Sequence, residues 1–228
     1  MNRDVRNLTT GVLLGSVACG LAAATLCGAG IAAATCASIS GITAGSASGG
    51  ANCSSTGTSF AIARGQGASA IGDGQFNGAI AIGDQTFAQA NGTGNVAISH
   101  GTNVQTIAQG VGNVAVASGE PAPNNGVSFY TPQFSVFFGA QPSLGSGAFA
   151  LGIGNSAVAL GNGSQAQALN FNTSPTTPGN NTALAIGNGN NAFAFSADIP
   201  SNVAPIPGGQ FAAAIGDNKN AANGINNL

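Results

Sequence analysis

The stretch "SGAFALGIGNSAVALGNG" (residues 146–163) contains one pattern twice. The segment AFALG at 148–152 returns as AVALG at 157–161, with alanine at every second position and a large apolar residue between. Alternation with a period of two is typical of a β-strand, and residues that favour turns, Gly and Asn, follow each copy. The stretch therefore predicts short strands joined by tight turns.

The pattern recurs along most of the chain. It predicts strands at 60–63, 79–83, 95–99, 113–117, 148–152, 156–161, 182–187, 191–195 and 210–216. In these strands one set of alternate positions holds mostly Ile, Val, Leu or Phe, and the other is almost entirely alanine. Since both faces are apolar, both must be covered. We expect the large residues to fill a thin interior and the alanine face to approach another surface closely; the opposite assignment is the alternative.

The spacing of the repeats predicts how the strands are connected. Leu151 and Leu160 are nine residues apart, whereas Ile98 and Val116 are eighteen apart. One coil should therefore contain two strands and two turns, with second strands at 86–90 and 104–109. Such a coil has too little apolar area to fold alone, so its stability comes from stacking on its neighbours. The predicted fold is all-β, a parallel β-roll or β-solenoid with two short strands per coil.

Three stretches resemble the head repeats of trimeric autotransporter adhesins, the YadA-like family. They are "NVAISHGTNVQTIAQGVGNVAVA" (95–117), "SAVALGNGSQAQALN" (156–170) and "TALAIGNGNNAFAFS" (182–196). The resemblance covers roughly residues 58–118 and 146–217. It implies a left-handed parallel β-roll that assembles as a homotrimer on a bacterial surface.

The chain carries unusually little charge. Only 4% of its 228 residues are charged, and the net charge is −2, whereas ordinary globular domains carry about 25% charged residues. The basic residues are Arg3, Arg6, Arg64 and Lys219. Without a basic patch we expect no nucleic-acid partner. The surface must be wetted by Asn, Ser, Thr and Gln, or largely covered by other chains.

Residues 1–46 begin weakly basic and continue as an apolar stretch rich in Ala, Gly and Leu. They predict a secretory signal peptide, with small residues at 22–24 or 32–34 suited to cleavage. The alternative is a retained membrane-anchoring segment over residues 8–46, which is long enough to span a bilayer. Both interpretations predict an exported protein at the cell surface or outside the cell.

All four cysteines lie early in the chain, at Cys19, Cys27, Cys36 and Cys53. No pair has the CxxC spacing and the chain has one histidine, so we expect no metal site. If all four are retained, three pairings are open. Cleavage after Ala34 would leave Cys36 and Cys53 able to form one disulfide.

The repeats divide the rest of the chain. We expect roll coils over 47–118 and 146–217, and a polar tail over 218–228. Excursions interrupt the second set at 169–181 and 196–209. The insertion at 119–145 is rich in aromatic residues and should leave the roll as a loop or hairpin. The candidate contact residues in it are Phe129, Tyr130, Phe134, Phe137 and Phe138. Their aromatic rings either pack on the roll or across a subunit boundary, or form an exposed patch for a partner or lipid surface.

No catalytic or cofactor-binding set emerges from the sequence. His100 follows a strand end and is interpreted as a polar turn residue, because no Ser/His/Asp set can be built around it. The residues that follow the repeated Ala–Ile–Gly or Ala–Leu–Gly are interpreted as turn-formers that bond to their own backbone. These are Asp73, Asp84, Asn162, Asn188 and Asp217.

These observations predict a non-enzymatic, exported structural protein, adhesin-like, that self-associates through apolar faces of the roll and presents loops for contact. The alternatives are a subunit of an extracellular filament or surface layer, a viral fibre or spike head, and a membrane-embedded homo-oligomer anchored by residues 8–46. The alternative from a different functional class is that the protein is an enzyme. Solenoid enzymes need clustered acids or a nucleophile system, and the acids of this chain are few and scattered.

Overall fold

A computed structural model describes residues 35–46, 50–122, 127–130, 135–138, 145–170, 180–196 and 208–223. Within these ranges the regular elements are all strands. They are β1 (Thr35–Ile39), β2 (Ile42–Ser46), β3 (Asn52–Ser55), β4 (Phe60–Arg64), β5 (Ser69–Gln75), β6 (Gly78–Ile82), β7 (Phe87–Thr93), β8 (Val96–Gly101), β9 (Gln105–Val111), β10 (Val114–Gly119), β11 (Val127–Tyr130), β12 (Ser135–Phe138), β13 (Gly147–Ile153), β14 (Ser156–Leu160), β15 (Gln165–Asn170), β16 (Thr182–Ile186), β17 (Asn191–Ser196), β18 (Phe211–Ile215) and β19 (Asn220–Asn223). The described part of the chain contains no helix of the length and hydropathy needed to cross a membrane.

The strands form two long sheets. Sheet 1 has the order β18-β16-β14-β10-β8-β6-β4-β1-β2, and sheet 2 has the order β19-β17-β15-β13-β9-β7-β5-β3. From β4 onward the neighbours within each sheet are parallel. The chain alternates between the sheets, so each coil contributes one strand to sheet 1 and one to sheet 2. This confirms the all-β roll with two strands per coil.

The interior between the sheets is filled by alanine. In the second coil, for example, Ala79 and Ala81 point inward from sheet 1, and Ala88 and Ala90 point inward from sheet 2; all four are 0% exposed. The expectation that the large residues fill the interior was therefore wrong, and the alternative assignment is correct. A coil of two strands encloses only a thin layer, and that layer has room for methyl groups rather than for branched side chains.

Glycine permits the coils to stack at the spacing of β-strands. Gly83 has a φ of +116°, and a Cβ atom added there would collide with the carbonyl oxygen of Gly101 in the next coil. Gly65 and Gly161 are in the same situation. Since only glycine combines this conformation with so close an approach, the repeated glycines fix one turn of every coil.

A ladder of buried asparagines fixes the opposite turn. Its members are Asn77, Asn95, Asn113, Asn155 and Asn181, each 0% or 1% exposed. From Asn95 onward, the backbone N–H of each one donates to the side-chain Oδ1 of the preceding one at 2.8–3.0 Å. The Nδ2 of Asn95 also donates to the carbonyls of Asn91 and Gly110, both at 2.8 Å. The ladder therefore satisfies buried polar groups that would otherwise destabilise the fold.

An antiparallel cap closes the amino-terminal end of the roll. Strand β1 pairs antiparallel with both β4 and β2. Cys36 on β1 and Cys53 on β3 form a disulfide with a Cα–Cα distance of 5.9 Å, which joins sheet 1 to sheet 2. Residues 35–46, which the sequence assigned to the apolar amino-terminal segment, are thus strands of the roll. The expected signal peptide or anchor over the preceding residues lies outside the described part.

The insertions leave the roll at two different corners. We call the turn from a sheet-1 strand to the next sheet-2 strand corner 1, and the turn back to sheet 1 corner 2. The 119–145 insertion follows β10 at corner 1 and contains the antiparallel hairpin β11–β12. The excursions at 169–181 and 196–209 follow sheet-2 strands at corner 2, and most of their residues lie outside the described ranges. The expected polar tail is partly structured, because β19 pairs with β17 as the last strand of sheet 2.

Candidate interaction surface

The outer face of sheet 1 carries the large side chains in three rows that run across the coils. Register pairing defines their members. Row 1 is Phe60, Gly78, Val96, Val114, Ser156, Thr182 and Phe211; row 2 is Ile62, Ile80, Ile98, Val116, Val158, Leu184 and Ala213; row 3 is Arg64, Ile82, His100, Ser118, Leu160, Ile186 and Ile215. Row 2 contains only aliphatic side chains. The sheet therefore presents an uninterrupted apolar stripe along its centre.

Exposed apolar side chains are concentrated on this face. Apart from Phe76 and Val111, every exposed large apolar residue in the described part of the chain lies on the outer side of sheet 1. Phe211 and Ile215 on the last coil are 57% and 62% exposed, and Ile42 on the cap is 68% exposed. Soluble monomers rarely leave a contiguous apolar surface of this kind open to water.

The outer face of sheet 2 differs in chemistry. Its first coils present Gln89, Asn91, Gln105 and Gln109 among the apolar residues. Further along, Phe193 and Phe195 also point outward from sheet 2, yet they are 4% and 7% exposed, and their rings stack with centroids 6.0 Å apart. The first coils of sheet 2 thus offer a half-polar surface, in contrast to sheet 1.

The single histidine lies on the apolar face. His100 is at the end of β8 in row 3, and its Nδ1 lies 3.3 Å from the Oγ of Ser118 at an exposed position. Ile82 is its register neighbour on the other side. Within the described ranges no three His, Cys, Asp or Glu side chains come together as metal ligands would. The interpretation of His100 as a turn residue was therefore wrong, because it is a strand residue of row 3.

The predicted turn-formers bond between coils, not to their own turn. Asp84 Oδ1 accepts from the backbone N–H of Gln66 at 3.1 Å, and Asp217 Oδ1 accepts from that of Asn188 at 2.9 Å. Asn162 and Asn188 also accept from the preceding coil, at 2.9 and 3.2 Å. The expectation of bonds to their own backbone was wrong for these four, because stacking brings the neighbouring coil's N–H groups within reach.

Asp73 departs from the other turn residues. It lies within β5 on sheet 2, opposite Asn91 of β7, and its Oδ1 accepts a hydrogen bond from the hydroxyl of Thr56. The repeated Ala–Ile–Gly before it is therefore not a reliable mark of one position in the coil.

The predicted aromatic contact residues lie mostly on the hairpin. The register pairs Phe129 with Val136 and Phe138 with Val127. Tyr130 pairs with Ser135 and Phe137 with Ser128. Phe134 lies outside the described residues.

Sequence reasoning missed Phe76, which is 72% exposed. Aligning the turns at corner 2 would have found it, because "GQFN" (74–77) corresponds to "GTGN" (92–95), "GVGN" (110–113) and "GIGN" (152–155). Phenylalanine stands where these three turns have glycine and where the turn before Asn181 has Asn180.

Comparison with known proteins finds no match for this chain among family models, curated proteins or solved structures.

Proposed function

We propose that this chain is a non-enzymatic, exported structural protein that self-associates as a homotrimer through the outer face of sheet 1. The roll serves as a stiff, nearly uncharged head at the cell surface. The 119–145 insertion presents the aromatic residues of the hairpin for contact with a further partner.

The continuous apolar face of sheet 1 is the observation that carries the proposal. Nine strands spaced about 4.8 Å apart, each about five residues of 3.3 Å long, cover about 600 Å². One partner contributes about 800 Å² to a standard specific interface. The face thus matches the low end of the range for specific interfaces, which is about 600 Å² from each partner.

Charge also supports burial of this face. Among its described residues, Arg64 and His100 are the only ones that ionise. Burying apolar rows with so few charges requires little desolvation of ions. The three-fold stoichiometry comes from the resemblance of the repeats to trimeric adhesin heads, and places three sheet-1 faces around a common axis.

The disulfide supports export. Structural disulfides persist in oxidising compartments and are rare in the cytosol, and the Cys36–Cys53 bond ties the cap to both sheets. A non-enzymatic role is supported by the scarcity of acids and histidine, since within the described ranges no three His, Cys, Asp or Glu side chains come together.

A matched pair of substitutions tests the proposal. Ile98 on β8 and Ile107 on β9 belong to the same coil, are both half-buried, and point outward from sheet 1 and sheet 2 respectively. We expect Ile98→Glu to convert the trimer to monomer in sedimentation velocity, while Ile107→Glu stays trimeric. Equal effects of both substitutions, or a monomeric unsubstituted protein, would refute the proposal.

A filament or layer subunit is the second candidate. It is favoured by the last coil, where β18 pairs with β16 alone and β19 with β17 alone among the described strands. Free strand edges are templates for further pairing. Electron microscopy that shows rods growing with protein concentration would favour this candidate over the closed trimer.

A further inference from the structure

Phe76 adopts a backbone conformation that bulky residues rarely adopt. Its φ is +55°, whereas the corresponding residues of later coils are Gly94, Gly112, Gly154 and Asn180, with φ of +46° to +68°. A β-carbon is disfavoured in this left-handed region, and bulky side chains there are outliers. The side chain also gains little from its own subunit, because 72% of it is exposed. The fold of the subunit alone does not account for phenylalanine at this position.

The apolar surface continues from sheet 1 around corner 2. Phe60 begins row 1, and its ring lies over Gly78, where an added Cβ would meet the ring at 2.6 Å. Phe76 lies two residues before Gly78, at the corner itself. Further along the same corner, Val111 is 50% exposed, and its register partner Ile153 on β13 is half-buried.

Corner 1, beside row 3, is polar instead. Its exposed side chains include Asp84, Gln85, Asn162, Asn188 and Asp217. The two corners therefore differ, because corner 2 combines Phe76, Val111 and Ile153 with the exposed polar residues Gln75 and Thr93, whereas the exposed side chains named at corner 1 are all polar.

We propose that corner 2 of one copy docks on the sheet-1 face of a second copy, with Phe76 as its aromatic anchor. This inference rests on the proposed self-association and specifies its geometry. In a face-to-face dimer related by a two-fold axis, the sheet-1 faces of the two copies would bury each other. Corner 2 would then stay exposed to water. A ring joins two different surfaces of each copy, and the sheet-1 face and corner 2 are two such surfaces. Aromatic side chains are enriched among the residues that carry interface energy.

Replacement of Phe76 by glycine separates the two roles of the residue. Phe76→Gly restores the residue that other coils use, so the isolated subunit should melt about 2 °C higher when it is compared at a dilution at which it is monomeric. The same substitution should weaken self-association at least tenfold, as measured by sedimentation equilibrium. Phe76→Asn, which also tolerates a left-handed backbone, should weaken association to a similar extent. Phe76→Tyr should retain it.

Gln85 provides the matched control. It is exposed, has a φ of +54°, and lies at corner 1, where Gly67 of the preceding coil has a φ of +68°. Gln85→Gly should raise the melting temperature in the same way and leave the association constant unchanged within twofold. An unaltered association constant for Phe76→Gly overturns the inference while the proposed function stands. A monomeric unsubstituted protein overturns both.

Discussion

The hydroxyl groups of Ser99 and Thr106 share a hydrogen bond of 2.8 Å across the alanine interior. Ser99 lies in the inward row of sheet 1 that begins at Cys36, and Thr106 lies in the inward row of sheet 2 that begins at Cys53. The buried hydroxyl pair in the third coil and the disulfide in the cap therefore bridge the same two rows. In the intervening coils these positions are alanine.

The pair predicts non-additive effects of substitution. Ser99→Ala alone leaves the buried Thr106 hydroxyl without this partner and should cost about 1–3 kcal/mol. The double substitution Ser99→Ala with Thr106→Ala restores the pattern of the other coils and should cost less than either single change. Urea unfolding of the three variants measures this coupling, and costs that add would contradict it.

The same equivalence predicts a second disulfide. Ser99→Cys combined with Thr106→Cys should oxidise to a bond like that of the cap, because the Cys36–Cys53 Cα atoms are 5.9 Å apart and disulfides require about 4.4–6.8 Å. Mass spectrometry after alkylation of free thiols checks the result. Alkylation at positions 99 and 106 of the folded protein would show that the rows are not aligned as described.

The alanine interior predicts a strong asymmetry between neighbouring residues. Ala97 on β8 is 0% exposed, whereas Val96 beside it is 37% exposed on the outer face. Ala97→Leu should lower the free energy of unfolding by about 1–3 kcal/mol or more through overpacking. Val96→Leu should change it by less than about 0.5 kcal/mol, as surface substitutions usually do. Similar losses of unfolding free energy for both substitutions would indicate that the large residues, and not the alanines, fill the interior.

The asparagine ladder predicts that replacing one of its buried members destabilises the fold more than replacing an exposed residue of the same coil. The Nδ2 of Asn113 donates to the carbonyls of Gln109 and Gly152 at 2.8 and 2.6 Å, and its Oδ1 accepts from Asn155 N–H at 2.9 Å. Asn113→Ala removes these partners inside the fold and should cost at least about 2 kcal/mol. Gln109→Ala, at an exposed position of the same coil, is the control for chemical denaturation. A loss below about 0.5 kcal/mol for Asn113→Ala would rule out the ladder as a stabilising element.

The sequence predicted the coils because their alternation and spacing are local. The same alternation could not decide which face is inside, since both faces of strands such as β8 and β14 are apolar. The thickness of a two-strand coil, a property of the assembled fold, decides it. Strands β1 and β2 were missed because their residues continue an Ala- and Gly-rich stretch typical of export signals. The pairing of β1 with β4 is a long-range contact.

The interaction surface was only partly predictable. The alternation predicted a second apolar face. The predicted contact residues, however, were those of the aromatic insertion and not the aliphatic rows of sheet 1. Phe76 has no neighbouring aromatic cluster to mark it in the sequence. Its significance appears only when the coils are aligned and its φ is compared with those of the glycines at the same corner.

The mass of the oxidised, unsubstituted protein in solution tests the central claim most directly. Sedimentation equilibrium over a wide concentration range should give a single species of three chains, because the outer face of sheet 1 is buried between copies. A monodisperse monomer that keeps its β-sheet circular dichroism at high concentration would contradict the account, since it would show that the apolar face is stable in water.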